Sequence, residues 1–380
     1  MSRQEVVHGD SLELLKKLRS NSFDGSVNDP PYELKFMNRE WDKTGIAFSV
    51  EFWKEVLRVL KPGAHLAVHA AGRLYHRVAC AIDDAGFEPR EMVPWIFGTG
   101  QFLGRFLADG VGTRLKTGAE PIGLFRKPSE GDLSDSYAKW GVGGLQIERS
   151  RIPYQNAADL AETKKKNPGR DDLYEGLVYG AGRPQQIVDD RGRLPSNVLI
   201  DEDVAEELGD RARYFYCVKA SRAERDAGLE TFPEILGGKA TLRKEGSAGL
   251  KNGRAGAGRT GGGKNGHPTV KPLDLTRWIV RLICPPGGMI LDCFAGSGTT
   301  LCAAALEGVS CLGIEREAEY VPIIRARLAY WQQKALDECP ADPMDGWAVH
   351  PRNPLYYYRP DKTKKKAYKK EQILAGQATE

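Results

Sequence analysis

Gly25-Ser26-Val27-Asn28-Asp29-Pro30-Pro31-Tyr32 is the stretch from which the rest of the chain can be read. The first four residues form a short strand-like run, so Asp29 stands at a strand's carboxyl end. Open α/β sheets place their ligands there. Pro30 and Pro31 fix φ and carry no N–H, which leaves stiff backbone with free carbonyls. An ionised aspartate is an acceptor only. Asp29 and the Pro30 carbonyl can therefore hold between them a group that brings two donor hydrogens. Tyr32 adds a flat face on which a ring can stack, worth about 1–3 kcal/mol for a base.

The exocyclic amino group of adenine or cytosine is a group of that kind. Asp-Pro is also ordinary turn chemistry, and the tetrapeptide by itself does not choose between a site and a polar turn. Its surroundings are more telling. Strand-like runs at 5–8, 65–69, 92–97 and 121–125 alternate with helical patterns at 12–18, 48–60 and 74–85. Ser11 is a candidate cap for the first helix, and Lys61-Pro62-Gly63 reads as the break that ends the second. This alternation predicts a largely parallel, doubly wound sheet. From about 128 to 236 the chain is irregular, with short apolar runs at 198–200 and 214–216. Residues 237–266 are dense in Gly, Lys and Arg and too poor in apolar residues to fold alone.

Order resumes at His267. Pro272 opens a helix over 273–283, followed by a strand at 289–293, a helix at 299–306, a strand at 309–314 and a long helix at 318–336. Between strand and helix lies Asp292-Cys293-Phe294-Ala295-Gly296-Ser297-Gly298-Thr299-Thr300. Gly296 and Gly298 permit a tight bend and a close approach to a ligand. Glu315, about 20 residues beyond the glycines, suits ribose hydroxyls. A dinucleotide fingerprint would need a third glycine where Leu301 stands. An adenosine without a pyrophosphate, as in S-adenosylmethionine, fits better than a nicotinamide or flavin dinucleotide.

Net charge is only +4, so the distribution of basic residues says more than their total. The seven cysteines are odd in number, and no two stand in Cys-x-x-Cys spacing. A disulfide framework and a zinc site are both disfavoured. No secretory h-region opens the sequence, and no apolar run approaches the roughly 18 residues of a membrane span. The expected setting is the cytoplasm.

The order of these motifs resembles that of the DNA amino-methyltransferases acting on adenine N6 or cytosine N4, in their permuted β-type arrangement. Asp29–Tyr32 comes first, then a variable region over 128–266, then Lys271-Pro272, and last Phe294-Ala-Gly-Ser-Gly298. The likeness covers residues 5 to about 335. Trp41-Asp42, Trp95-Ile-Phe-Gly-Thr-Gly100, Glu120-Pro121 and Lys127-Pro128 resemble the phage- and prophage-borne members most.

The resemblance implies a Rossmann-like methyltransferase fold, α/β with a mostly parallel sheet. Its catalytic half spans 1–127, an inserted target-recognition region 128–266, a cofactor half 267–336 and a polar basic tail 337–380. It implies S-adenosylmethionine as cofactor, with Gly296, Gly298 and Asp292 on its methionine part and Glu315 on the ribose. Asp10 would take the adenine amino group and Phe294 would pack against the cofactor. Thr269 and Lys271 would reach its carboxylate end. Asp10 reads equally well as a helix cap, and His267 as a residue that shapes the loop. Asp29, Pro30, Pro31 and Tyr32 would carry catalysis on a flipped base in double-stranded DNA, without metal. Arg191, Arg193, Arg213, Lys219 and Arg222 are the candidate DNA contacts. A homodimer is compatible with all of this. Asp29 favours adenine N6. Cytosine N4 is the alternative, followed by an RNA target or a silent DNA-binding relative.

Overall fold

Residues 23–28, the run that ends at Asp29, are all buried and form the strand β2 (Phe23–Asn28). The computed structural model describes residues 2–34, 40–98, 100, 102, 104–166, 188–219, 221–235 and 263–338. Most of the Gly-rich basic loop and the whole of the tail beyond 338 lie outside these described residues. The chain divides into two compact units, one of residues 1–146 and 195–337, the other built on Ile147–Leu194.

The first unit is organised on a sheet of nine described strands. In spatial order they are β1 (Gln4–His8), β11 (Ser310–Glu315), β10 (Met289–Asp292), β2, β3 (Leu60–His69), β7 (Ala119–Arg126), β4 (Glu88–Ile96), β8 (Leu199–Asp201) and β9 (Tyr216–Val218). Every neighbouring pair is parallel except the two made by β7. The sheet is therefore mostly parallel, as the alternating pattern predicts. Strands β8 and β9, from the irregular stretch, extend it.

Helices α1 (Ser11–Leu15), α2 (Val50–Val59) and α3 (Tyr75–Asp84) follow the first strands. Helix α2 turns Phe52, Trp53, Val56 and Val59 inward, and α3 turns Val78, Ala81 and Ile82 into the same core. Two further helices, α8 (Leu273–Ile283) and α9 (Thr299–Leu306), pack against each other. Every residue of α9 is buried. Buried arginines on α8 are neutralised there: Arg277 Nε and Arg281 Nε each donate at 2.9 Å to the buried carboxylate of Glu307. The last described helix, α10, runs over Val321–Glu338. Between β7 and β8 comes α4 (Leu133–Trp140), and α6 (Glu202–Leu208) follows β8. In the second unit α5 spans Ala157–Lys166, and Ile152 bridges Arg193.

Three local expectations are corrected. Asp10, rather than Ser11, caps α1, accepting from Glu13 N at 3.1 Å. Ser11 instead donates to Cys293 O at 2.5 Å. Lys61-Pro62-Gly63 does not separate helix from strand. Helix α2 passes straight into β3, and the register jumps from Phe23/Leu60 to Gly25/His65, so residues 61–64 bulge within the strand. The apolar run at 214–216 contributes only Tyr216 to β9, because Tyr214 closes a 3₁₀ turn over Gly209–Tyr214.

Candidate active site

Strands β2 and β10 lie side by side, with Ile290 opposite Gly25 and Leu291 opposite Ser26. Gly25 lets them approach: a Cβ there would meet Ile290 Cδ1 at 3.1 Å and His65 O at 3.4 Å. Side chains then staple the two carboxyl ends together. Ser26 Oγ donates to Leu291 O at 2.8 Å, Asn28 Nδ2 donates to Ser26 Oγ at 2.8 Å, and Cys293 N donates to Asn28 Oδ1 at 2.9 Å. The chain leaves β2 as Asp29–Tyr32 and leaves β10 as 293–298. Two stretches far apart in sequence thus open onto one cavity of about 1090 Å³.

On the β2 side, the Lys271 ammonium lies 3.3 Å from Asp29 Oδ1 and 3.0 Å from Glu120 Oε1, and donates to Tyr32 OH at 2.8 Å. The same Glu120 oxygen is 2.8 Å from His69 Nδ1. Burial pushes the Glu120 carboxyl up, but Lys271 and His69 outweigh it and bring it down to about 2. Lys271 is held cationic in turn. Its burial opposes the charge, while Asp29 and Glu120 raise its pKa above the ordinary lysine value. Burial, with the charges of Asp29 and Glu120, pushes the Tyr32 phenol well above its usual range. Beyond Tyr32 the buried Asp42 accepts from Glu33 N at 2.9 Å and Leu34 N at 3.1 Å, fixing where the tetrapeptide ends.

On the β10 side, Gly296 has φ +54° and Gly298 has φ +80°. A Cβ on Gly296 would meet His267 Nε2 at 3.0 Å, and one on Gly298 would meet Ile324 Cγ2 at 2.8 Å. His267 thus shapes the loop by lying on it, its ring 4.6 Å from that of Tyr320. Glu315 accepts from Gly296 N at 2.6 Å and from Glu317 N at 2.7 Å. Asp292 accepts from Phe294 N at 2.9 Å. Burial raises both carboxyls to about 7, more than these hydrogen bonds lower them. Phe294 tilts against Phe52, with ring centres 5.2 Å apart. Thr269 N donates to His267 Nδ1 at 3.3 Å.

Asp10, Asp29, Pro30, Pro31, Tyr32, Thr269, Lys271, Asp292, Phe294, Gly296 and Glu315 all line the cavity. Gly298 instead turns the chain into α9. Lys271 stands with the Asp29 carboxylate and the Tyr32 hydroxyl. The candidate DNA contacts are placed elsewhere. In the second unit Arg193 makes a two-pronged pair with Asp159, at 2.6 and 3.0 Å, and Arg191 pairs with Glu148 at 2.9 Å. In the first unit Arg213 lies 5.3 Å from the ring centre of Tyr214, and Lys219 N donates to Asp274 at 3.1 Å. Arg222 begins α7 (Arg222–Asp226).

Sequence reasoning did not assign a role to Glu120 or His69. They face each other across the antiparallel pair β3 and β7, and no motif spacing links them. Glu120-Pro121, quoted for its resemblance, was the one available signal. Among the described residues no group of three or more His, Cys, Asp or Glu side chains could hold a metal ion, and no helix is long and apolar enough to cross a membrane.

The family model for the N6/N4 DNA methylases matches residues 23–326. A Type II methyltransferase of Moraxella bovis, M1.MboII, is 46% identical over 55 residues, which are 14% of this chain and 21% of that protein. M.BglI of Bacillus subtilis is 40% identical over 57 residues, 15% of this chain and 16% of that protein. The chain thus aligns with about a fifth or less of the length of these relatives. Among solved structures, the cytosine-N4-specific PvuII DNA methyltransferase is 16% identical, with a TM-score of 0.48 over 89% of this chain and 94% of that one. The M1.HpyAVI complex with its S-adenosylmethionine is 14% identical, with a TM-score of 0.41 over 86% of this chain and 100% of that one.

Proposed function

The chain belongs to the N6/N4 DNA methylase family, and from that premise we propose that it methylates the exocyclic N6 of an adenine flipped out of double-stranded DNA, with S-adenosylmethionine as donor. One observation carries the reading: the acceptor stretch Asp29–Tyr32 and the glycine loop open into one cavity, joined through Asn28 and Cys293.

The residues suit the donor. Asp292 and Glu315 are buried carboxyls held near neutrality. A ligand that brings ammonium or hydroxyl donors would restore their charge. Glu315 would take ribose hydroxyls, Asp292 with Gly296 the methionine part, and Asp10 the adenine amino group, while Gly298 serves the turn into α9. Phe294 would flank the ligand and Thr269 would face its carboxylate end, while Lys271 stays with Asp29 and Glu120 on the acceptor side. When bound, S-adenosylmethionine supplies a methyl group on a sulfonium.

The chain's own residues prepare the acceptor. A base inside the duplex cannot present its amino group, so it must be extruded. Tyr32 stacks on the extruded ring. Asp29 and the Pro30 carbonyl each accept one amino hydrogen, which draws the nitrogen lone pair out of ring conjugation. As the nitrogen gains a bond it turns cationic, and Asp29 would stabilise that charge and take the surplus proton. Catalysis here is positioning and electrostatics.

Mass spectrometry of nucleosides from a methylation-deficient host expressing the chain tests this. N6-methyladenine is expected, and N4-methylcytosine would overturn the base assignment alone. Asp29→Ala should lower transfer by about 10²–10³-fold while cofactor binding persists. Equal loss of both would refute the role of Asp29.

A further inference from the structure

Between β4 and β7 the chain makes a small hairpin, β5 (Phe106–Ala108) and β6 (Val111–Gly112), turning at Asp109-Gly110 with Gly110 at φ +71°. Both of its roots are in the central sheet, where Ile96 pairs with Ala119 and Trp95 with Glu120. Because β4 runs in the same direction as β2 and β10, the hairpin stands on the sheet edge that carries Asp29 and Gly296. Its returning arm borders the cavity: Arg114, Leu115, Lys116, Thr117, Ala119 and Glu120 all line it.

The side chains of this hairpin are unusual for a surface. Phe106 is 71% exposed, Leu107 61%, Val111 52% and Leu115 91%. Every residue from 105 to 119 is exposed. A two-stranded ribbon gains little stability by itself, and clustered apolar side chains at a surface mark a place of contact. The charge on the hairpin identifies the partner. Residues 105–116 carry three bases, Arg105, Arg114 and Lys116, against one acid, Asp109. Among the described residues neither Arg105 nor Arg114 is in an ion pair, and Lys116 bonds only a carbonyl, Gly98 O, at 2.7 Å. Apolar tips among uncommitted cations suit a polyanion whose interior is a stack of flat apolar rings. Phe102 braces the hairpin from within, stacked on Phe106 at 5.2 Å.

We propose that this hairpin is the wedge that opens the duplex, with Leu115 entering the place that the extruded base leaves while Arg105 and Arg114 hold the flanking phosphates. The proposal rests on the methyltransferase reading. Inserted apolar side chains offset the unstacking of a base step, and a base whose pairing is already lost is easier to extrude. Leu115 is suited to the task by its exposure and by its position on the cavity lining.

The test uses the full chain and a duplex carrying the methylated site recovered from host DNA. In one version the target is paired, and in the other it faces an abasic position. Leu115→Ala should lower methyl transfer to the paired duplex at least about tenfold and leave the abasic version within about twofold of the unaltered protein. Equal loss on both duplexes would make Leu115 an ordinary contact, and no loss on either would remove it from the interface; each overturns the wedge. Host DNA without any methylated site would instead overturn the methyltransferase reading, and the wedge with it. A dimer that Leu115→Asp dissolves without affecting transfer would reassign the hairpin to self-association.

Discussion

Lys271 Nζ is closer to Glu120, at 3.0 Å, than to Asp29, at 3.3 Å. A cation resting wholly on Asp29 would compete with the amino group for the carboxylate and would oppose the positive charge that develops during transfer. Glu120 supplies a second berth, itself steadied by His69. Glu120→Gln should leave Lys271 to Asp29 alone and lower kcat by about tenfold, about 1.4 kcal/mol at the transition state, with cofactor affinity unchanged. Equal kcat in the variant would remove Glu120 from this role.

Asp292 and Glu315 predict how ligand binding responds to pH. Both carboxyls are raised from about 4 to about 7, mainly by burial, with the charge of Asp29 adding to the shift of Asp292 and the charges of Asp292 and Glu317 adding to that of Glu315. A raised pKa contributes stability that is complete below about pH 4 and is lost as pH rises through about 7. The free protein should therefore lose thermal stability between pH 6 and 8. A ligand that donates to the ionised carboxylates reverses this, so the rise in Tm caused by S-adenosylhomocysteine should grow from pH 6 to pH 8. An equal rise at both would contradict it.

Gly296→Ala places a methyl group 3.0 Å from His267 Nε2 on a backbone with φ +54°. The left-handed conformation costs about 1–2 kcal/mol for a residue with a Cβ, and His267 must give way. Calorimetry should show cofactor affinity reduced about tenfold, since the change lies on the cavity wall. Affinity equal to that of the unaltered chain would show that the loop does not approach the ligand.

Glu307→Ala removes the carboxylate between two buried guanidiniums, Arg277 and Arg281. Loss of one partner from a buried charge cluster costs about 3–5 kcal/mol. Urea unfolding should register a loss of that size, and a loss below about 1 kcal/mol would show that water reaches the cluster.

The parallel sheet and the edge on which the two motifs meet at one cavity were legible because they rest on local chemistry. Asp29-Pro30-Pro31-Tyr32 follows a buried strand, and Gly296 and Gly298 mark a bend that only glycine makes easily. What was illegible depends on pairing between distant strands. Nothing near β7 distinguishes its reversed direction from that of its parallel neighbours. The His69–Glu120 contact exists only because β3 and β7 run antiparallel. Lys61-Pro62-Gly63 has the composition of a break, yet lies in a bulge within β3, because Gly63 N and Ala64 O are both satisfied by Lys127. The hairpin at 105–113 escaped notice because its apolar residues do not alternate with a buried face.

The staple between Asn28 and Cys293 joins residues 265 positions apart. During synthesis β2 emerges long before its neighbour β10. At about 5–20 residues per second, that edge of the growing sheet waits roughly 13–50 s for its partner. An unpaired strand edge invites pairing with another chain. The permuted order thus makes the nascent chain depend on whatever shields β2 during that interval. Slower translation after residue 28 should divert more of the product into aggregates, and coexpressing the 263–338 segment should draw some of it back.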